Sequence, residues 1–157
     1  MKLNRKIYYV TNNAGKFEEV RDFFDKTAFS FQVEQYAVEI DEIQSLDQKT
    51  VVSDKVKKAF KIVKQPLLLD DGGLFFAAYN QFPGTLSKFV FQGLGFKGLF
   101  KLVEDDNRAS FILQLAYTDG LQTQLFEGVC HGTIIMPEDL SSHPKLPFTA
   151  IFKPNGS

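Results

Sequence analysis

Residues Tyr9 to Val20 read YVTNNAGKFEEV, where an apolar strand end runs through polar turn residues and a Gly-Lys pair into helix-periodic sequence. A P-loop requires G-x-x-x-x-G-K-[ST] at such a junction. Here Val10 stands in place of the leading glycine and Phe17 in place of the metal-binding hydroxyl, so the P-loop is excluded. A strand end feeding a helix still presents unpaired N–H groups and a positive dipole end, which favour an anion. Lys16 adds a formal charge, and the Asn13 amide both donates and accepts. The same residues also read as an ordinary N-cap followed by a surface lysine. Local sequence leaves both readings open.

Outward from this stretch, Ile7 to Val10 predicts a strand, and Phe17, Val20, Phe23 and Phe24 recur at helical spacing between charged residues. Phe29 to Tyr36 reads as a second strand, followed by the acidic segment VEIDEIQSLD from Val38 to Asp47. Val52, Val56, Ala59, Phe60 and Val63 form a helical stripe that Pro66 ends. Leu67 to Leu69 predicts a buried strand terminating in Asp70-Asp71-Gly72-Gly73. The stretch NQFPGTLSKFV predicts a Pro-Gly turn entering a helix, and Gly95 to Val103 a further helix. Ser110 to Tyr117 and Gln122 to Cys130 flank Asp119-Gly120, a hairpin signal. Gly132 to Met136 and Phe148 to Phe152 read as additional strands. Alternating strands and helices followed by a hairpin predict an α/β fold, residues 1–157 forming one domain with a mixed sheet flanked by helices. Ligand-facing positions are expected at the strand ends.

The length of 157 residues suits one buried core, and 44% hydrophobic with 24% charged residues describes an ordinary globular chain. Seventeen phenylalanines and no tryptophan predict a Phe-rich core. A net charge of -1 argues against broad attraction to nucleic acid or membrane surfaces. The one cysteine, Cys130, has no internal disulfide partner, which points to a reducing compartment. The apolar run near the N-terminus is short for a signal peptide, and no segment reaches the roughly 20 apolar residues that span a bilayer. A cytoplasmic protein is expected.

Three constellations carry candidate chemistry. The first is the turn from Thr11 to Lys16. The second is acidic: Glu39, Asp41 and Glu42 on one segment, with Asp70 and Asp71 at the end of the apolar strand. Carboxylates around a cleft are hard oxygen ligands suited to Mg²⁺ or Mn²⁺. Neighbours on an extended strand point to opposite faces, so Asp70 and Asp71 are not expected to enter one site in the same way. Each piece also has a plain reading, an exposed acidic loop and an Asp-Asp-Gly-Gly turn. The third is a basic helix face, Lys55, Lys58 and Lys61, which reads foremost as a solvated surface. His131 and His143 lack neighbours at zinc-site spacing, Cys130 reads as a core residue, and no organic-cofactor fingerprint is present.

Taken in order, these segments resemble the inosine triphosphate pyrophosphatase family, which hydrolyses non-canonical purine nucleoside triphosphates to monophosphate and pyrophosphate. Its opening Ser/Thr-x-Asn-x-x-Lys matches Thr11, Asn13 and Lys16; its acidic-loop glutamate matches Glu42; its helical lysine matches Lys55. The strand ending in an acidic pair matches LLLDDGGLFF, with Asp71 in the place of the principal catalytic carboxylate, and Phe82-Pro83-Gly84 with Ser87 matches the family's Pro-Gly turn. The resemblance implies a twisted mixed sheet with a central cleft, a homodimer, and a Mg²⁺ (or Mn²⁺) ion held by Glu42, Asp71 and Asp70. It further implies Thr11, Asn13, Lys16 and Lys55 on the phosphates and Asp71 orienting the attacking water. The end of the chain departs from the pattern. Where the family carries Gly-Tyr/Trp-Asp-Pro, this chain has Pro147-Phe148-Thr149-Ala150, and Asn155 replaces a terminal aspartate. The family's last helix with its Lys…Ser-His-Arg segment has no counterpart up to Ser157. Phe148 and Thr149 are what remains for base contact, which implies an altered or relaxed base preference. A catalytically weak homologue that binds nucleotide or a protein partner is the alternative, and a pyrophosphatase of another phosphate ester a third.

Overall fold

The computed structural model describes residues 5–28, 30–140 and 147–157. The chain runs β1 (Arg5–Val10), α1 (Ala14–Lys26), β2 (Phe31–Tyr36), α2 (Gln48–Val63) and β3 (Leu67–Phe76). It continues through a 3-10 turn (Gly84–Leu86) into α3 (Ser87–Leu102), β4 (Arg108–Thr118) and β5 (Thr123–Ile134). A second 3-10 turn (Pro147–Ala150) precedes β6 (Phe152–Pro154). The six strands form one sheet in the order β2-β1-β3-β4-β5-β6. β1 pairs in parallel with β2 and with β3, while β5 and β6 are antiparallel. The sheet is mixed, as expected. Parallel neighbours need a crossover, and α1 and α2 supply it. No helix among the described residues is long and apolar enough to cross a membrane.

Residue contacts divide the chain into two compact units, each assembled from separate stretches. In the first, 1–43, 49–70 and 115–126, the core is built from Val10, Ile40, Val52, Val56, Ala59, Leu67, Leu69 and Ala116. The predicted stripe on α2 therefore faces this core. The β4–β5 turn belongs to the same unit, and Gly120 sits at φ 90 where a Cβ would run into the Phe60 ring. In the second unit, 44–48, 71–114 and 127–157, Leu74, Phe76, Leu99, Val103, Ala109, Ile134 and Ile151 form the core, with Phe91, Phe96, Phe100, Phe111, Phe148 and Phe152 packed against it. Seven of the seventeen phenylalanines gather in this core, as the Phe-rich composition led one to expect, while Phe23, Phe31, Phe89 and Phe126 are exposed.

Several boundaries differ from expectation. β3 does not end at Leu69; it runs through Asp70-Asp71-Gly72-Gly73 to Phe76. Gly73 is needed inside the strand because the Phe82–Gly84 turn lies against it, and a Cβ there would strike the Gly84 carbonyl oxygen. That turn is fastened by the Phe76 N–H donating to the Phe82 carbonyl at 2.9 Å and by a bridge between Phe75 and Pro83. The helix expected from Gly95 is the second arm of α3, broken where Gly95 takes φ 63. Gly132–Ile134 continues β5, and Phe148 lies in a 3-10 turn instead of a strand. β2 begins at Phe31; the expected start, Phe29, lies outside the described residues. Cys130 is exposed, because β5 is solvent-accessible from Thr123 through His131; the expected core position is wrong.

Gly73→Ala is expected to lower unfolding stability by about 1–3 kcal/mol, the range for forced overpacking. Gly72→Ala, whose Cβ would meet side-chain atoms of Phe111 at 3.1 Å and Leu113 at 3.3 Å instead of backbone, should cost less. Denaturant midpoints at constant slope check the order.

Candidate functional site

Asn13 is the N-cap of α1, and its Oδ1 accepts from Gly15 N–H at 2.9 Å and Lys16 N–H at 3.2 Å. The Asn13 N–H donates in turn to Thr11 Oγ1 at 3.0 Å. These backbone donors, expected to face an anion, are satisfied within the turn itself. The Lys16 side chain, rather than this set of N–H groups, is the turn's cationic arm. Its Nζ lies 2.5 Å from Asp70 Oδ1, with the lysine side chain 32% exposed and the aspartate 9%.

Asp70 is the point on which this unit's polar groups converge. Its Oδ2 accepts from the Tyr9 hydroxyl, and Tyr9 is almost fully buried on β1. Its backbone carbonyl accepts from Lys55 Nζ at 3.4 Å. Lys55 also pairs with Glu42 at 2.5 Å, the lysine half-buried at the flank of the apolar stripe on α2. Four of the sequence-nominated residues, Lys16, Glu42, Lys55 and Asp70, thus join one polar cluster, and Thr11 and Asn13 hold the turn that carries Lys16. Lys58 contacts Asp54 and the Asp41 carbonyl and acts as a local surface brace.

β3 passes from the first unit to the second between Asp70 and Asp71. Asp71 is buried, at 8% exposure, and its carbonyl oxygen accepts from Gln48 Nε2 at 2.9 Å. The same Gln48 amide donates to the Ile112 carbonyl at 2.9 Å. Ser87 is also buried, its Oγ accepting from Leu74 N–H at 3.0 Å and donating to the Gly84 carbonyl at 2.6 Å. It clamps the Pro-Gly turn to β3. Phe148 packs edge-on against Phe91 with ring centroids 5.7 Å apart, and Thr149 is exposed. His131 Nδ1 meets Ser110 Oγ at 2.8 Å on the surface; His143 lies outside the described residues. Among the described residues no group of three or more His, Cys, Asp or Glu side chains gathers as a metal cage.

The sequence model described as the Ham1 family matches residues 7–157. The chain belongs to the Ham1 family. A dITP/XTP pyrophosphatase of Saccharolobus solfataricus is 35% identical over 153 residues, covering 96% of this chain and 78% of that protein. An inosine triphosphate pyrophosphatase of Yarrowia lipolytica is 30% identical over 154 residues, covering 96% and 79%. Among solved structures, the nucleoside-triphosphatase / dITP/XTP pyrophosphatase of Mycobacterium abscessus superposes with a TM-score of 0.69 over 97% of this chain and 85% of that one, at 21% identity. The Staphylococcus aureus Ham1 protein gives 0.63 at 20% identity, over 96% and 82%. Both share the fold.

Tyr9 and Gln48 escaped the sequence reading. Tyr9 sits within the apolar run YYV and reads as packing, whereas Gln48 stands between Asp47 and Lys49 at the start of α2 and reads as a surface residue. The available signal was the rule that buried hydroxyl and amide groups find partners.

Burial, and then the neighbouring Asp70 charge, raise the Tyr9 phenol well above its ordinary range. The folded state therefore keeps Tyr9 neutral at pH values where the unfolded chain, with a pKa near about 10, ionises. Unfolded chains then bind fewer protons than folded ones, so this contribution to stability is present below about pH 10 and declines above it. Absorbance titration at 295 nm should show a tyrosine ionisation that appears only on unfolding, and Tyr9→Phe should abolish it.

Proposed function

We propose that this Ham1-family chain hydrolyses nucleoside triphosphates of the non-canonical purine class, such as ITP, XTP and dITP, to the monophosphate and pyrophosphate. The observation that carries the reading is the convergence of Lys16 and Lys55 on Asp70, beside the glutamate that the family pattern places at Glu42. Relatives at 30–35% identity that are named as pyrophosphatases of dITP, XTP and inosine triphosphate support the substrate class.

In this reading the α–β anhydride breaks, the water oxygen joins the α-phosphorus, and pyrophosphate leaves. Lys16 and Lys55 grip phosphate oxygens and neutralise charge growing on the leaving pyrophosphate. Asp71 orients the water and accepts its proton. The donor chemistry of Glu42 and Asp71 fits a small hard cation, because Mg²⁺ is commonly bound through one or two carboxylates, with substrate phosphates and water completing its shell. A bound Mg²⁺ or Mn²⁺ would polarise phosphoryl oxygens and acidify a water. Phe148, packed against Phe91, and exposed Thr149 stand where the family pattern carries Tyr/Trp-Asp, and the loss of that aspartate supports an altered or relaxed preference. A homodimer in the cytoplasm completes the proposal; light scattering tests the first part.

A nucleotide panel with Mg²⁺ or Mn²⁺ and product identification is the direct test. Pyrophosphate released from ITP, XTP or another triphosphate is expected. No turnover across the panel rejects the activity, and tight binding without product favours a nucleotide-binding homologue. Asp71→Asn should lower kcat by roughly 10²–10⁴ and Lys16→Ala kcat/KM by roughly 10²–10³. Lys57→Ala, on the exposed side of α2, should change neither.

A further inference from the structure

We propose that Tyr9 is a positioning residue for the phosphate-binding lysine: its buried hydroxyl locks the Asp70 carboxylate, and Asp70 holds the Lys16 ammonium in place. The inference rests on the reading of Lys16 as a phosphate ligand. It gives Asp70 a task different from cation binding, since Tyr9 takes one carboxylate oxygen and Lys16 the other.

The geometry carries this in three steps. Tyr9 is 1% exposed on β1, its neighbours in register being Leu68 and Gln35 on the flanking strands. Phenylalanine would fill nearly the same volume, so the hydroxyl adds a polar group that burial penalises unless it is bonded. Its partner is a carboxylate that is itself buried, and a hydrogen bond to an ionised acceptor is among the stronger kinds. A carboxylate held at one oxygen no longer swivels freely about its terminal torsion. The other oxygen then presents a fixed acceptor to Lys16 Nζ at 2.5 Å. Lysine has a flexible four-carbon stem and three rotatable donors. One N–H on Asp70 stops the stem from sampling its rotamers and fixes where the ammonium stands. Ordering done before the ligand arrives is ordering that binding does not have to supply. Tyr9 never needs to touch substrate.

A merely structural hydroxyl would affect stability alone, so the test is a cycle with Lys16. Wild type, Tyr9→Phe, Lys16→Ala and the double variant are compared for calorimetric affinity toward inorganic tripolyphosphate, and for kcat and KM on whichever nucleotide the panel identifies. Tyr9→Phe is expected to weaken tripolyphosphate binding and raise KM by about 5- to 30-fold, with kcat changed less. In the Lys16→Ala background it should have no further effect. Tyr9→Phe within about twofold of wild type, an equal loss in both backgrounds, or no binding of tripolyphosphate to wild type overturns the proposal. Coupled tripolyphosphate binding without nucleotide turnover upholds the positioning role and removes the pyrophosphatase reading; turnover without coupling does the reverse. Should Tyr9→Phe fail to fold, Asp70→Asn takes its place in the same cycle with the same criteria.

Discussion

A carboxylate that is nine-tenths buried must be compensated, and that of Asp70 is compensated from two directions, with a third bond to its backbone. The Lys16 ammonium comes from the first turn of α1, the Tyr9 hydroxyl from the interior of β1, and Lys55 from α2 reaches the backbone oxygen. The first compact unit is organised around this arrangement. The N-terminal turn is stiffened by Thr11 and Asn13 so that Lys16 leaves it in one direction, and Glu42 is drawn to Lys55. Ion pairs in water are worth little, but these partly desolvated ones couple three elements, and losing one partner would strand the others.

The second unit solves a different problem. β3 continues beyond its acidic pair with Gly72 leaving room for the Phe111 and Leu113 side chains and Gly73 for the backbone of the turn at Gly84. Ser87 and the Phe76 N–H secure that turn, and Gln48 holds the Asp71 carbonyl by its amide. Asp71 therefore sits on a strand whose backbone is bonded on its own side of the fold, which is the rigidity that the water-orienting role proposed for it would require. The phenylalanines fill the remaining volume, Phe148 among them.

Under the proposed reading, phosphate handling is concentrated in charged side chains with dedicated supports, whereas base contact is left to a packed aromatic ring and a surface threonine. Charge recognition of a polyphosphate is insensitive to the base, so a catalyst of this build separates substrates by what the base pocket excludes more than by what it bonds.

Periodicity and turn chemistry made the elements legible: the apolar run before Thr11, the stripe from Val52 to Val63 and the Asp119-Gly120 hairpin each specify their form locally. The ordered motif from Thr11 to Gly84 likewise identified the family before any coordinate. Boundaries at Gly73, Gly95 and Gly132 were not legible, because a glycine in a strand or helix is tolerated or punctuating according to what lies against it, and that neighbour is distant in sequence. For the same reason the sequence nominated Lys16, Lys55, Glu42 and Asp70 by residue type yet left their pairings open. Tyr9 lies 61 positions from the carboxylate it bonds, so only the folded arrangement of β1 beside β3 decided that its hydroxyl has a purpose. Local sequence sets backbone preference within a few residues; compensation of a buried charge is settled by whatever the sheet brings within hydrogen-bonding reach.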